Sequence, residues 1–115
     1  MFAKVTLTSG DRSCTVDAML DTGASQSFVS SDVARRLGNP DRIAAGWLYG
    51  VGGAVEATAI HVQANLPDGP TCTLRASVLD IGFTCVLGLD FMRQSEVTIH
   101  VADERITYSK KRKVA

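Results

Sequence analysis

A small all-β domain with two short helices is what this chain predicts, and three observations carry the expectation. Apolar and polar residues alternate in several short runs. Clusters of Gly, Pro, Asp and Ser separate those runs as turns would. Only two segments, Ser31 to Leu37 and Asp90 to Gln94, read as helices, and both are short. With 115 residues, 45% of them hydrophobic, the chain suits one compact core and is too short for two.

Phe2 to Thr8 alternates, with Val5 and Leu7 expected inward, and the Ser9-Gly10-Asp11 turn leads to a second strand, Ser13 to Leu20. Phe28 and Val29 start a brief strand after the following loop. The helix Ser31 to Leu37 has Ser30 or Ser31 as cap, Asp32 in its first turn, Arg35 and Arg36 in its last, and Gly38 and Pro40 to stop it. It is too short to form a core and should cover one face of the sheet. Ile43 to Tyr49 and Val55 to Leu66 read as strands joined by Gly50-Val51-Gly52-Gly53. In the second, Ile60, Val62, Ala64 and Leu66 share one phase.

Pro67-Asp68-Gly69-Pro70 is a turn. Cys72, Leu74, Ala76 and Val78 alternate next, and Asp80-Ile81-Gly82 reads as a turn between strands. Phe83 to Leu87 is an apolar run broken only by Thr84. Val97, Ile99 and Val101 should pair with Ile106 and Tyr108 across Ala102-Asp103-Glu104.

Charge excludes little. Twelve basic and twelve acidic residues cancel, so the composition gives no argument for nucleic acid or an acidic substrate. The balance is uneven, because Lys110, Lys111, Arg112 and Lys113 leave eight basic against twelve acidic residues elsewhere, a net of −4. Such a tail (110–115) could be a nuclear address or a nucleic-acid patch; a solvated terminus is the favoured reading. Cys14, Cys72 and Cys85 lack C-x-x-C spacing, and Cys14 and Cys72 fall on apolar strand phases. Buried reduced thiols are therefore expected rather than a disulfide frame or metal site. The sequence shows no signal peptide and no apolar run near the ~20 residues of a membrane helix, so a cytoplasmic protein without membrane association is the expectation.

The stretch that carries chemistry is Leu20-Asp21-Thr22-Gly23-Ala24-Ser25. Alternation at Cys14, Val16, Ala18 and Leu20 delivers Asp21 to the end of a half-buried strand, and Gly23 lets the backbone turn sharply. A carboxylate so presented suits acid–base hydrolysis; an Asp before a turn that merely accepts backbone hydrogen bonds is the plain alternative. G-x-S-x-G, H-E-x-x-H and Cys–His patterns are missing, and Gly50 to Gly53 fails the dinucleotide G-x-G-x-x-G because Val55 holds the last position. His61 and His100 lie on polar phases and are expected at the surface.

Asp21-Thr22-Gly23-Ala24 resembles the active-site signature of the retropepsin-like aspartic proteases, single-domain relatives of pepsin that include retroviral and retrotransposon proteases. Gly50-Val51-Gly52-Gly53, about 30 residues further on, resembles the glycine-rich flap tip of that family. Val86-Leu87-Gly88 resembles its apolar-apolar-Gly segment, which in family members crosses behind the active-site loop. These marks stand in the family's order and lie between Cys14 and Gln94. The chain departs from retroviral members by continuing through Glu96 to Ser109, more like cellular and transposon-derived members, including the DNA-damage-inducible type.

The resemblance implies a closed-barrel-like fold over residues 1–109 and an aspartic endopeptidase with no metal and no cofactor. It implies a homodimer, since the domain carries one signature Asp and the second carboxylate would be Asp21 of another copy. Asp80-Ile81-Gly82, lacking the Thr, lies too close in sequence for a second lobe. In the family the hydroxyl matching Thr22 bonds the opposite subunit's loop, and Gly23 would offer its carbonyl to an extended peptide substrate. Val51 and Gly52 would touch that peptide, while Trp47 and Tyr49 on the arm should pack. Val86, Leu87 and Gly88 would pack against the Asp21 loop. Asp90 could cap the second helix or pair with an arginine across the dimer. The rivals are a catalytically silent peptide-binding scaffold and a monomeric domain whose basic tail binds nucleic acid.

Overall fold

The computed structural model describes residues 1–50, 53–100 and 102–108. Expectations for Val51, Gly52, Val101 and the basic tail lie outside these residues. Among the described residues nine strands and two helices follow in the order β1 (Phe2–Ser9), β2 (Arg12–Leu20), β3 (Phe28–Val29), α1 (Ser31–Arg36), β4 (Ile43–Gly50), β5 (Gly53–Asn65), β6 (Cys72–Val78), β7 (Cys85–Leu87), α2 (Leu89–Ser95), β8 (Val97–His100) and β9 (Arg105–Tyr108).

Strand order β1-β2-β7-β3-β6-β5 closes on itself because β1 also pairs with β5, through Thr6↔Asn65, Leu7↔Ala64 and Thr8↔Gln63. The result is a six-stranded barrel, which leaves none of these strands as a bare edge. Two of its pairings are parallel. Met19 and Leu20 of β2 lie beside Val86 and Leu87, and Phe28 and Val29 of β3 lie beside Ser77 and Val78. The alternating residues fill the interior: Val5, Leu7, Val16, Ala18, Ile60, Val62, Ala64, Leu74 and Ala76 are all buried. Phe91 and Met92 of α2 and Val33, Ala34 and Leu37 at α1 join the same core.

The hairpin β4–β5 extends away from the barrel, with β4 bonded only to β5. A bulge between Ala44 and Gly46 bends it, with Gly46 at φ +87°. Trp47 corrects the sequence expectation here. It is 58% exposed rather than packed, because the arm carries no second layer at that point. The run Phe83 to Leu87 is also less uniform than its composition suggests. Only Cys85–Leu87 is strand, while Phe83 is exposed and its ring lies 6.3 Å from that of Phe2.

The hairpin β8–β9 pairs as expected, in the register Val97↔Tyr108 and Ile99↔Ile106, and packs on the core. Tyr108 lies over Gly69, where an added Cβ would come within 2.8 Å of the ring. His61 is exposed, but His100 is half-buried and bonds Thr107 at 3.1 Å. Among the described residues no disulfide joins the cysteines. Cys72 and Cys85 are buried and Cys14 half-buried. Burial pushes the Cys85 thiol up to about 12, which keeps it protonated and inert. Among the described residues no helix is long and apolar enough to cross a membrane.

Ser30 caps α1, its Oγ accepting from the Val33 N–H. Asp80 braces the same end. One carboxylate oxygen accepts from the Ser31 N–H at 3.0 Å and the other from the Ser31 hydroxyl at 2.7 Å. These hydrogen bonds hold the Asp80 carboxyl below its ordinary value of 3.8. A depressed folded-state pKa contributes stability that is present above the unfolded value and lost as pH falls through the folded one. The melting temperature of Asp80→Asn should therefore lie below that of the parent at neutral pH, and the gap should close on acidification below about pH 4. Thermal melts across that range would check it.

Candidate active site

Asp21 follows directly on β2, where two neighbours fix its backbone. Its N–H donates to the Leu87 carbonyl at 3.0 Å, and the preceding Leu20 N–H donates to Met1 O at 2.8 Å. The loop then turns on itself. Ala24 N–H reaches back to Asp21 O at 3.2 Å, and Gly23 N–H donates to Asp21 Oδ1 at 2.8 Å. Gly23 packs tightly here, since an added Cβ would sit 3.1 Å from that carboxylate oxygen and the side chain would have to give by a few tenths of an ångström. Asp21 is half-buried, Thr22 and Gly23 are exposed, and Ala24 is half-buried. Among the described residues no second carboxylate shares a hydrogen bond with Asp21.

Val86, Leu87 and Gly88 run behind this loop, all buried. Gly88 lies where the two segments touch. A Cβ there would stand 2.6 Å from Ala24 O and 2.8 Å from Gln26 O, closer than any carbon can approach. Leu89 N–H donates to Ala24 O at 2.8 Å just beyond the crossing. The segment thus serves as a rigid backing for the loop, and its glycine is set by steric exclusion rather than by backbone torsion.

Asp90 departs from its expected role. The N-cap of α2 is Gly88, which makes no side-chain cap, and Asp90 lies two residues further in. Its Oδ2 accepts from the Ser27 N–H at 3.0 Å and its Oδ1 from the Ser27 hydroxyl at 2.7 Å, so the carboxylate is engaged within its own chain. Ser27 is the residue that sequence reasoning missed. Its partner lies 63 positions away, and no local spacing reports such a contact.

The glycine-rich segment lies at the far end of the β4–β5 hairpin, where Gly50 faces Gly53, itself at φ +109°. Val51 and Gly52, the expected peptide contacts, are outside the described residues. Asp80-Ile81-Gly82 is no strand; its Asp serves α1, as above. Among the described residues no group of three or more His, Cys, Asp or Glu could hold a metal ion.

A closed barrel that presents one carboxylate on a backed loop has the retropepsin-like acid-protease fold. Solved structures share it, among them the following two. EIAV protease in complex with the inhibitor HBY-793 superposes with a TM-score of 0.70 at 22% identity, over 88% of this chain and 92% of that one. The retroviral protease-like domain of Ddi1 from Leishmania major gives 0.61 at 20% identity, over 95% and 88%. No curated protein matches the sequence. Residues 8–94 match the family described as "gag-polyprotein putative aspartyl protease", and the chain belongs to that family.

Gly88→Ala should push the two crossing segments apart, lowering stability by roughly 1–3 kcal/mol as overpacking does in a filled core. Chemical denaturation of the variant against the parent would measure it. An unchanged midpoint would mean that the crossing has slack.

Proposed function

We propose that the protein is an aspartic endopeptidase whose catalytic pair is Asp21 from each of two copies. The supporting observation is the presentation of Asp21: a single carboxylate per chain, at the solvent-facing end of a strand, on a loop held from behind by the buried residues 86–88. Effort spent on fixing one acid in place is hard to account for in a passive turn. A lone acid on a braced loop needs a partner to polarise a carbonyl while it activates water. A C2 homodimer supplies that partner on its axis.

In this reading the two Asp21 carboxyls lie about 3 Å apart and share one proton, as acid-protease pairs do, because both cannot be ionised at that separation. The ionised member takes a proton from water as the water oxygen attacks the scissile carbonyl carbon. The protonated member gives its proton to the carbonyl oxygen, so that a tetrahedral diol forms. The C–N bond then breaks as the first carboxyl passes its proton to the leaving amine and the second recovers one from a diol hydroxyl, which restores the pair. Thr22 would bond the opposite loop and lock the two acids together, and the Gly23 carbonyl would accept a hydrogen bond from the peptide. The substrate would lie extended, bonded through its backbone like an added strand. The β4–β5 hairpin, tipped by Gly50, Val51, Gly52 and Gly53, would close over it and exclude water.

Purified protein incubated with a peptide library at several pH values should cleave fastest under acidic to mildly acidic conditions and be blocked by a statine-type inhibitor. Asp21→Asn, nearly isosteric, should abolish cleavage while leaving the dimer folded; retained turnover in that variant would refute the assignment. Peptide binding without cleavage by the parent protein would instead mark a scaffold module. Gly52→Val should slow turnover, and unchanged kinetics would count against a closing hairpin.

A further inference from the structure

The stretch Ser27 to Ser31, which leads the chain out of the Asp21 loop through β3, is gripped at each end by the same device. At each end one Asp accepts both the backbone N–H and the hydroxyl of one Ser, using one carboxylate oxygen for each. Asp80 grips Ser31 in an exposed setting. Asp90 grips Ser27, which is only 1% exposed. The similar chemistry in two environments suggests two consequences.

At Ser27 every polar atom is spoken for. Besides its two donors to Asp90, its Oγ accepts from the Gly88 N–H at 3.1 Å, and its carbonyl accepts from the Ser77 N–H at 3.1 Å. Asp90 is itself steadied, because its Oδ1 also accepts from the Phe91 N–H at 2.8 Å, and Phe91 is wholly buried. The buried core of α2 is thereby connected to the far end of the Asp21 loop, whose near end is held by Leu87 O. A carboxylate suits this place because both its oxygens accept, and the facing serine offers two donors. An amide could accept only one of them and would leave a buried donor facing another donor.

We infer that Asp90 is a positioning residue of the Asp21 site, setting the catalytic carboxylate's place through Ser27, whereas Asp80 braces helix α1 alone. For its kinetic consequence this rests on the proteolytic reading above. If two acids must meet about a water to within a fraction of an ångström, slack at Ser27 reaches them directly, and such misplacement costs up to about a hundredfold in rate. Slack at Ser31 falls beyond β3, on the helix side.

The test compares Asp90→Asn, Ser27→Ala, the double variant and Asp80→Asn in two readouts. These are kcat and KM for one cleaved peptide, and amide hydrogen exchange along the chain. Asp90→Asn should lower kcat roughly ten- to a hundredfold with KM within about twofold, and speed exchange at residues 21–24 at least about tenfold, leaving β5 protected. Ser27→Ala should act in the same direction, and the double variant should be little worse than Asp90→Asn, since both remove one linkage. Asp80→Asn should move neither kcat nor exchange at 21–24. Parental kcat and loop exchange in Asp90→Asn would overturn the inference, as would an equal kcat loss in Asp80→Asn. Should Asp90→Asn fail to fold, Ser27→Ala carries the same comparison. Should the parent cleave no peptide, the proteolytic reading fails, and the exchange data still decide whether Asp90 holds the loop.

Discussion

Two stretches of backbone cross at Gly88 with no room between them for a single carbon, and much of the molecule is arranged around that contact. On one side runs the loop that carries Asp21; on the other, the junction of β7 and α2. The approach is close enough for the Leu87 carbonyl, the Leu89 N–H and the Gly88 N–H each to bond the loop directly. Backbone groups hold position better than long side chains, since they have little rotamer freedom to lose. The candidate site thus inherits its rigidity from main chain and buried core.

The barrel explains why that crossing is stable. Strand β7 is only three residues long, yet Cys85, Val86 and Leu87 are all buried, wedged between β2 and β3. A strand with neighbours on both sides and side chains in the core cannot slip by one residue without turning its apolar set outward. Register fixed in β7 becomes register fixed at Gly88 and, through Leu87, at Asp21. Phe91, fully buried one turn later, anchors the other end of the same segment. Elements that lack such anchoring look different. The β4–β5 hairpin stands off the barrel with Trp47 in solvent, since β4 pairs only with β5.

Much of this was legible from residues alone, for reasons that differ by element. Strands β1, β2, β5 and β6 announced themselves because one face of each is core and the other solvent, which writes a period of two into the sequence. Helix α1 was legible through Ser30, Asp32, Arg35 and Gly38, residues that act within one turn of where they stand. The acid loop was legible because Asp21, Gly23 and Ala24 follow one another along the chain. Trp47 misled, since an aromatic residue carries no mark of whether a second layer will arrive to cover it. The bond between Asp90 and Ser27 escaped, because nothing near either residue in the chain marks the other as its partner.

The order of residues by itself determined which segments could be strand or helix, where the chain must turn, and which side chain could offer an acid to a substrate. These are short-range properties, set by torsional preference, capping and the alternation of apolar side chains. Only tertiary structure decided that Gly88 must be glycine, that Ser27 meets Asp90, and that Asp80 serves a helix instead of a reaction. Each depends on groups brought together across half the chain by closure of the barrel. Burial of apolar surface, which drives that closure, is indifferent to which polar partners it happens to juxtapose.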